Sequence, residues 1–147
     1  MIQEIKGDIF KVSRDKYIAH CVSGDFTLGA GVAKRIDRKY NMRYKLYCTC
    51  PYDTVSDSYG YVGEAVLIDT VFNLVIKPTY KSKVRRSDLK QALMNMRTIC
   101  EAEGISTVYM PRIGAGHEHL VWDKVKAIIE EVFEESTVDI VICIWGR

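Results

Sequence analysis

The chain alternates two kinds of apolar pattern, and this alternation limits the folds it can adopt. Short apolar runs typical of β-strands occur at 2–6, 17–22, 64–68, 71–76, 107–110 and 138–145. Between them, apolar residues recur at helical spacing after position 31, over 87–103 and over 125–133. Strands that alternate with helices predict a three-layer α/β/α sandwich, with helices on both faces of a central, mostly parallel mixed sheet.

The 147 residues suit one domain, and no repeat or linker divides them, so we expect a single domain over 1–147. Residues 44–60 show no clear period, which predicts an irregular segment. Ser87 is the predicted N-cap of the helix over 87–103, and Gly104 is its predicted stop. The nearly continuous apolar run at 138–145 is typical of a strand covered on both faces of the sheet.

Composition and charge narrow the class of protein. The 21 Lys and Arg residues against 19 Asp and Glu give a net charge of +2, too balanced for a protein that binds a phosphate backbone by charge alone. The most apolar stretch is far shorter than the roughly 20 residues that span a bilayer, and nothing at the N-terminus resembles a signal peptide. We therefore expect a cytoplasmic protein with reduced cysteines and no membrane partner, or a nuclear one if its source is eukaryotic.

Two glycine loops mark the expected ligand site. The first spans 23–31 and contains Gly29-Ala30-Gly31, and the second spans 111–117 and contains Gly114-Ala115-Gly116. Each follows a predicted strand and precedes a helix, where α/β proteins bind ligands and where free backbone amides bind anions. Two such loops favour a ligand with a phosphate and neighbouring sugars. A tight left-handed turn would explain either loop without a ligand, so the pattern alone leaves both interpretations open.

Four short motifs stand out along the chain, namely Lys6-Gly7-Asp8-Ile9-Phe10, Ala19-His20-Cys21-Val22-Ser23, Gly29-Ala30-Gly31-Val32-Ala33 and Met110-Pro111-Arg112-Ile113-Gly114-Ala115-Gly116. In order and spacing they resemble motifs of the macrodomain family, and the likeness extends over nearly the whole chain. The chain most resembles the terminal ADP-ribose protein glycohydrolase branch. This resemblance implies that the protein binds ADP-ribose and hydrolyses the bond at C1″ of the distal ribose. The implied substrate is mono-ADP-ribose on acidic side chains, with O-acetyl-ADP-ribose as a further small ester.

The resemblance also implies which residues bind ADP-ribose. Asp8 would accept a hydrogen bond from the adenine amino group beside the backbone amide of Ile9, although a turn-forming role for Asp8 is an alternative. The first loop would wrap the distal ribose and part of the diphosphate, and the second would hold the diphosphate from the other side. The residues concerned are Ser23, Gly29, Ala30, Gly31 and Val32 in the first loop, and Ile113, Gly114, Ala115, Gly116 and His117 in the second.

In that branch a lysine at a strand end attacks the anomeric carbon, and a carboxylate in the second loop acts as acid or base. Lys77 stands at the lysine position, where desolvation would favour the neutral, nucleophilic amine. A lysine that extends its ammonium into solvent is the alternative. Glu118 stands where the branch has an aspartate, so this carboxylate is one methylene longer; Asp123 is a weaker substitute.

His20 resembles a histidine that is assigned a catalytic role in macrodomains that remove the phosphate from ADP-ribose 1″-phosphate. The glycohydrolase branch carries a histidine there too, and a buried, hydrogen-bonded His20 is a third interpretation. Two other functions therefore stay open. The protein could be an ADP-ribose 1″-phosphate phosphatase, with His20 essential and Lys77 dispensable. It could instead be a reader module that binds ADP-ribose without turnover, with Glu118 marking a degenerate site.

We expect no cofactor and no metal. His117 and His119 flank Glu118 but have no further ligand at a recognisable spacing. The expected partners of a monomeric protein are ADP-ribose and ADP-ribosylated protein. ADP-ribosylated nucleic acid is a second substrate class, because the expected site contacts chiefly the nucleotide diphosphate. A basic run predicts either a solvated loop or a guide for an anionic macromolecular substrate; it consists of Lys81, Lys83, Arg85 and Arg86.

Overall fold

Within residues 1–116 and 118–145, which the computed structural model describes, six strands form one sheet. The strands are β1 (Ile2–Lys6), β2 (Tyr17–Ser23), β3 (Ala65–Ile68), β4 (Val71–Lys77), β5 (Thr107–Met110) and β6 (Asp139–Ile144). Their order across the sheet is β1-β6-β5-β2-β4-β3. Neighbouring strands pair in parallel except β3, which is antiparallel to β4. His117, Gly146 and Arg147 lie outside the described residues.

Helices cover both faces of this sheet. They are α1 (Gly31–Tyr40), α2 (Met42–Thr49), α3 (Arg86–Glu103) and α4 (Trp122–Phe133), and a 3-10 turn spans Ile9–Lys11. The apolar faces of α1 and α2 pack in one core, and those of α3 and α4 pack in another. The predicted α/β/α sandwich with a mostly parallel mixed sheet is confirmed.

The two cores meet at strands that are buried on both sides. Along β4, Phe72 and Leu74 belong to the core under α3 and α4, whereas Val71 and Val75 belong to the core under α1 and α2. Successive side chains of a strand point to opposite faces, so one continuous apolar run serves both cores. The run at 138–145 behaves as predicted: β6 lies between β1 and β5, and residues 140–143 are buried.

Two local predictions are wrong. Residues 44–49 of the predicted irregular segment belong to α2 (Met42–Thr49). Only Met42 and Leu46 of this short helix are buried, so its apolar stripe has two members and gives almost no periodic signal. Ser87 is not the N-cap of α3, because the backbone of Arg85 takes that place and Ser87 lies inside the first turn. Gly104 does end α3, with φ +71° and its amide bonded to the carbonyl of Cys100.

Two further expectations can be compared with the structure. All five cysteines are free thiols. Among the described residues, no helix combines the length and the apolar character needed to cross a membrane.

Candidate functional site

A cleft opens at the carboxyl ends of β2, β4 and β5, and both glycine loops line it. It encloses about 810 Å³ of space, part of which is open to solvent. A smaller cleft beside it shares three wall residues with the first, namely Val32, Pro111 and Arg112. The two clefts therefore form one groove. Asp8 lines one end of the groove and Lys77 the other.

The fold brings nearly all of the predicted site residues to this groove. The large cleft is lined by His20, Ser23, Gly29, Ala30, Gly31, Val32, Lys77, Ile113, Gly114, Gly116 and Glu118. Asp8 and Ile9 line the small cleft. Ala115 does not line either cleft, and its amide donates to the carbonyl of Arg112 at 3.3 Å. His117 lies outside the described residues.

Lys77 and Glu118 form a close pair, although they are 41 positions apart. The Lys77 Nζ donates to Glu118 Oε1 at 2.8 Å and to the carbonyl of Tyr80 at 2.7 Å. The side chain of Lys77 is 4% exposed and that of Glu118 is 18% exposed. Lys77 therefore does not extend into solvent. The longer side chain of Glu118 brings a carboxylate oxygen into direct contact with the amine.

A tight crossing of backbone segments places Lys77 at the cleft. The register between β2 and β4 shifts after Val22, which sets Ser23 opposite Lys77. The amide of Gly24 then donates to the carbonyl of Lys77 at 2.9 Å. A Cβ at Gly24 would lie 2.7 Å from the carbonyl oxygen of Gly60. A glycine at position 24 therefore lets these backbone segments approach each other closely.

Asp25 ties the first glycine loop to the segment after β4. Its carboxylate accepts from the Ser23 hydroxyl at 2.5 Å, from the Tyr80 amide at 2.9 Å and from the Thr27 amide at 3.4 Å. Burial opposes ionisation, but these donors, led by the Ser23 hydroxyl, hold the pKa of Asp25 below its ordinary value. The sequence interpretation missed Asp25. A Ser-x-Asp-x-Thr pattern directly before a glycine loop is the signal that could have found it.

His20 is buried, and its tautomer follows from its neighbour. The Asn73 Nδ2 donates to the carbonyls of Val66 and Val71, which leaves Asn73 Oδ1 as an acceptor. The His20 Nε2, 2.6 Å from that oxygen, must carry the proton. Burial lowers the pKa of His20 to about 4, so the ring is neutral at pH 7. Its Nδ1 is an acceptor that finds no hydrogen-bond partner among the described residues.

At the other end of the groove, Asp8 does form a turn. Its Oδ1 caps the 3-10 turn by accepting from the Phe10 amide at 3.0 Å. Its Oδ2 lies 4.0 Å from an Arg35 nitrogen. The Arg35 guanidinium lies 4.0 Å from the ring centroid of Phe10 and 5.5 Å from that of Trp145. The sequence interpretation missed these three flat groups, because they come from distant parts of the chain.

Cys21 contributes a thiol to the wall of the large cleft. Burial, reinforced by the charge of Glu118, raises the pKa of Cys21 to about 12. This thiol is therefore protonated at neutral pH and is a poor nucleophile.

Outside position 117, which the structure does not describe, no group of three or more His, Cys, Asp or Glu residues is placed to hold a metal ion. The expectation of a site without metal or cofactor stays a prediction, because His117 is one of the two histidines beside Glu118 that were considered as metal ligands.

Comparison with known proteins shows the family. The family model described as Macro domain matches residues 19–129. The chain belongs to the Macro domain family. It is 30% identical over 145 residues to the ADP-ribose glycohydrolase OARD1 of Homo sapiens, an alignment that covers 96% of this chain and 90% of that protein.

Two further comparisons bear on function and fold. The chain is 24% identical over 159 residues to an ADP-ribose 1″-phosphate phosphatase of Meyerozyma guilliermondii, covering 86% of this chain and 91% of that protein. The solved macrodomain of Mycobacterium tuberculosis DarG superposes with a TM-score of 0.81 at 20% identity, covering 100% of this chain and 98% of that one. The structural likeness supports the fold alone.

Proposed function

We propose that this macro domain binds ADP-ribose along the groove and hydrolyses the bond at C1″ of the distal ribose, releasing mono-ADP-ribose from acidic side chains of proteins. The observation that carries the proposal is the largely buried pair of Lys77 and Glu118 at 2.8 Å. A nucleophilic amine and a carboxylate that exchanges protons with it can together carry out such a hydrolysis. The relative named ADP-ribose glycohydrolase supports the same reaction.

The groove offers a place for each part of the ligand. The adenine lies by Asp8, the amide of Ile9 and the flat groups of Phe10 and Arg35. The diphosphate lies over the start of α1. The N-cap residue there, Ala30, has no side chain that can cap the helix, so the first-turn amides stay free for an anion. A site built from amides fits a chain with a net charge of only +2.

The pair can carry out hydrolysis in two displacements. Lys77 first gives a proton to Glu118, and its Nζ lone pair attacks C1″. The bond between C1″ and the ester oxygen breaks, and the leaving carboxylate takes that electron pair and the proton from Glu118. Glu118 then removes a proton from water, and the hydroxide attacks C1″. The C1″–N bond breaks, its electron pair returns to Lys77, and the proton on Glu118 restores the ammonium.

His20 supports this reaction as a neutral ring at the wall of the cleft and not as a proton donor. Its Nε2 donates its proton to Asn73 Oδ1, and its Nδ1 is a buried acceptor without a hydrogen-bond partner among the described residues. A neutral histidine with this tautomer has no proton to give to a leaving phosphate or to a leaving alkoxide. The geometry therefore favours the glycohydrolase over the phosphatase that a more distant relative's name indicates.

The finer assignments complete the proposal. The substrate is an ADP-ribosylated protein, and ADP-ribosylated nucleic acid is a second substrate class for the same nucleotide groove. The protein acts as a monomer in the cytoplasm, or in the nucleus if its source is eukaryotic.

Mass spectrometry of a glutamate-linked mono-ADP-ribosylated protein, before and after incubation with stoichiometric enzyme, tests the reaction. We expect loss of the whole ADP-ribosyl mass and the appearance of free ADP-ribose. Lys77→Ala should abolish this loss while calorimetry still detects ADP-ribose binding. Lys90→Ala is the matched control, because Lys90 pairs with Glu131 at 2.7 Å on the exposed surface.

Three results would contradict the proposal. Full activity of Lys77→Ala would remove the covalent step. An unchanged substrate with a folded protein that binds ADP-ribose would leave the phosphatase and the reader module. Release of phosphate from ADP-ribose 1″-phosphate, retained in Lys77→Ala and lost in His20→Ala, would identify the phosphatase instead.

A further inference from the structure

We propose that Asp25 is a positioning residue that holds the Lys77 amine in place through the backbone of Tyr80. This inference rests on the proposed function, because it assigns a role within the same reaction. The Asp25 carboxylate accepts from Ser23, Thr27 and Tyr80 and not from Lys77, so its effect reaches the amine in two steps.

The two steps are consecutive hydrogen bonds. The Asp25 Oδ2 accepts from the Tyr80 amide at 2.9 Å, and the Tyr80 carbonyl accepts from the Lys77 Nζ at 2.7 Å. Fixing the amide of a residue restricts where its carbonyl can lie, because only two backbone torsions separate these groups. Asp25 therefore sets the position of the oxygen that faces the amine.

Asp25 is itself held from several directions. Its Oδ1 accepts from Ser23 and Thr27, and its backbone carbonyl accepts from the Tyr47 hydroxyl at 2.8 Å. A carboxylate that accepts several hydrogen bonds keeps one orientation, which a neutral side chain with a single acceptor oxygen cannot reproduce. The position therefore favours an ionised aspartate over its amide.

This support matters most when Lys77 has lost a proton. Among the described residues, the ammonium donates to Glu118 and to the Tyr80 carbonyl, and it lies 5.5 Å from the centroid of the Tyr80 ring. Once a proton moves to Glu118, the charge attraction between the pair disappears. The hydrogen bond to the Tyr80 carbonyl then holds the nitrogen, so that its lone pair stays directed at the substrate. A misplacement of about 1 Å at this stage lowers the rate by about 100-fold.

The same contacts join the amine to the ligand-binding loop. Asp25 lies in the first glycine loop, and a Cβ at Gly29 of that loop would lie 3.6 Å from the Tyr80 ring. The loop that wraps the ligand therefore packs against the residue that holds the amine.

Asp25→Asn tests this role, because it keeps the size of the side chain and removes its charge. We expect the single-turnover rate on a glutamate-linked substrate to fall about 10- to 100-fold. The dissociation constant for ADP-ribose should change less than about threefold, because the groove itself is intact. Asp25→Glu, which keeps the charge and shifts the carboxylate, provides a second variant, with a rate between those of the wild type and Asp25→Asn. Asp53→Asn is the matched control in another loop, where Asp53 accepts from the Val55 amide at 2.9 Å.

A second readout follows the amine directly. The open-chain aldehyde of ADP-ribose condenses with a lysine amine, losing water, and cyanoborohydride supplies the hydride that reduces the imine to a stable secondary amine. Peptide mass spectrometry measures this labelling at Lys77 without any turnover. We expect Asp25→Asn to be labelled at Lys77 more slowly than the wild type, by a factor similar to that in the rate.

The two readouts separate the possible failures. A wild type that labels Lys77 but releases no ADP-ribose contradicts the proposed function alone. Wild-type rates in both assays for Asp25→Asn contradict the positioning role. Equal losses of ADP-ribose affinity, rate and melting temperature in both Asp25 variants would show a merely structural role, which also overturns the proposal.

Discussion

Replacing Glu118 with aspartate tests whether the length of the Glu118 side chain is needed for its contact with Lys77 and for catalysis. The change removes one methylene, so the carboxylate withdraws by about one carbon–carbon bond, roughly 1.5 Å. The distance between Lys77 Nζ and the nearest carboxylate oxygen would grow from 2.8 Å to about 4.3 Å if the loop keeps its path. That separation is too long for a hydrogen bond or for direct proton transfer.

The size of the effect follows from the geometry. Both side chains are largely buried, so solvent screening is limited. The attraction between the two charges stabilises the state before proton transfer, so weakening it does not by itself slow the reaction. The rate falls because the withdrawn carboxylate can no longer receive the proton directly, and a misplacement of about 1 Å costs about 100-fold. We therefore expect Glu118→Asp to lower kcat by about 100-fold.

Single-turnover release of ADP-ribose from a glutamate-linked substrate measures this change. Glu118→Gln, which keeps the length and removes the base, should lower the rate by about 100- to 10,000-fold. The control is Glu131→Asp, because Glu131 forms a pair of similar length with Lys90 in solvent and should leave the rate unchanged. An unaltered or faster Glu118→Asp would refute the reasoning, since it would mean that the reach of the carboxylate does not matter.

Two other predictions concern the frame of the site. Gly24→Ala places a Cβ 2.7 Å from the Gly60 oxygen and 3.0 Å from the Pro78 oxygen. It should destabilise the protein by about 1–3 kcal/mol in urea unfolding and lower turnover with it; wild-type stability would contradict this. Burial lowers the pKa of His20 from 6.5 to about 4, so the unfolded chain binds this proton more readily. The free energy of unfolding should therefore fall by about 2 kcal/mol from pH 7 to pH 5 relative to His20→Gln; parallel pH profiles for the two proteins would contradict it.

Sequence patterns predicted the parts of the fold that have strong periods. The apolar stripes of α3 and α4 and the apolar runs of β4 and β6 are long enough to predict a helix or a strand from their period alone. The helix α2 was not predicted, because only Met42 and Leu46 of it are buried and two residues give no clear period. The start of α3 was predicted wrongly, because serine is only a frequent N-cap residue. In the structure Arg85 is the N-cap, and its side chain makes no capping hydrogen bond.

Single residues of the site could be predicted from motifs, whereas contacts between distant segments of the chain could not. Lys77 and Glu118 were assigned through a family resemblance, but their contact at 2.8 Å depends on where β4 ends and how the second loop folds back. The Ser-x-Asp-x-Thr pattern could have marked Asp25 as a turn residue, but its hydrogen bond with the Tyr80 amide, 55 positions away, is not visible in the sequence. The neutral tautomer of His20 likewise depends on Asn73, its neighbour across two parallel strands. Pairings of this kind come from topology and not from local pattern.

The burial of Lys77 is itself an argument for chemistry over passive binding. Removing an ammonium and a carboxylate from water is expensive, and replacing a buried ion pair by apolar side chains is often neutral or stabilising. A module that only bound ADP-ribose would not need this pair for the stability of its fold. We therefore expect the double variant Lys77→Met/Glu118→Leu to melt at or above the wild-type temperature and to bind ADP-ribose while losing all turnover. A marked loss of stability would show that the pair holds the fold together, and the argument from burial would then fail.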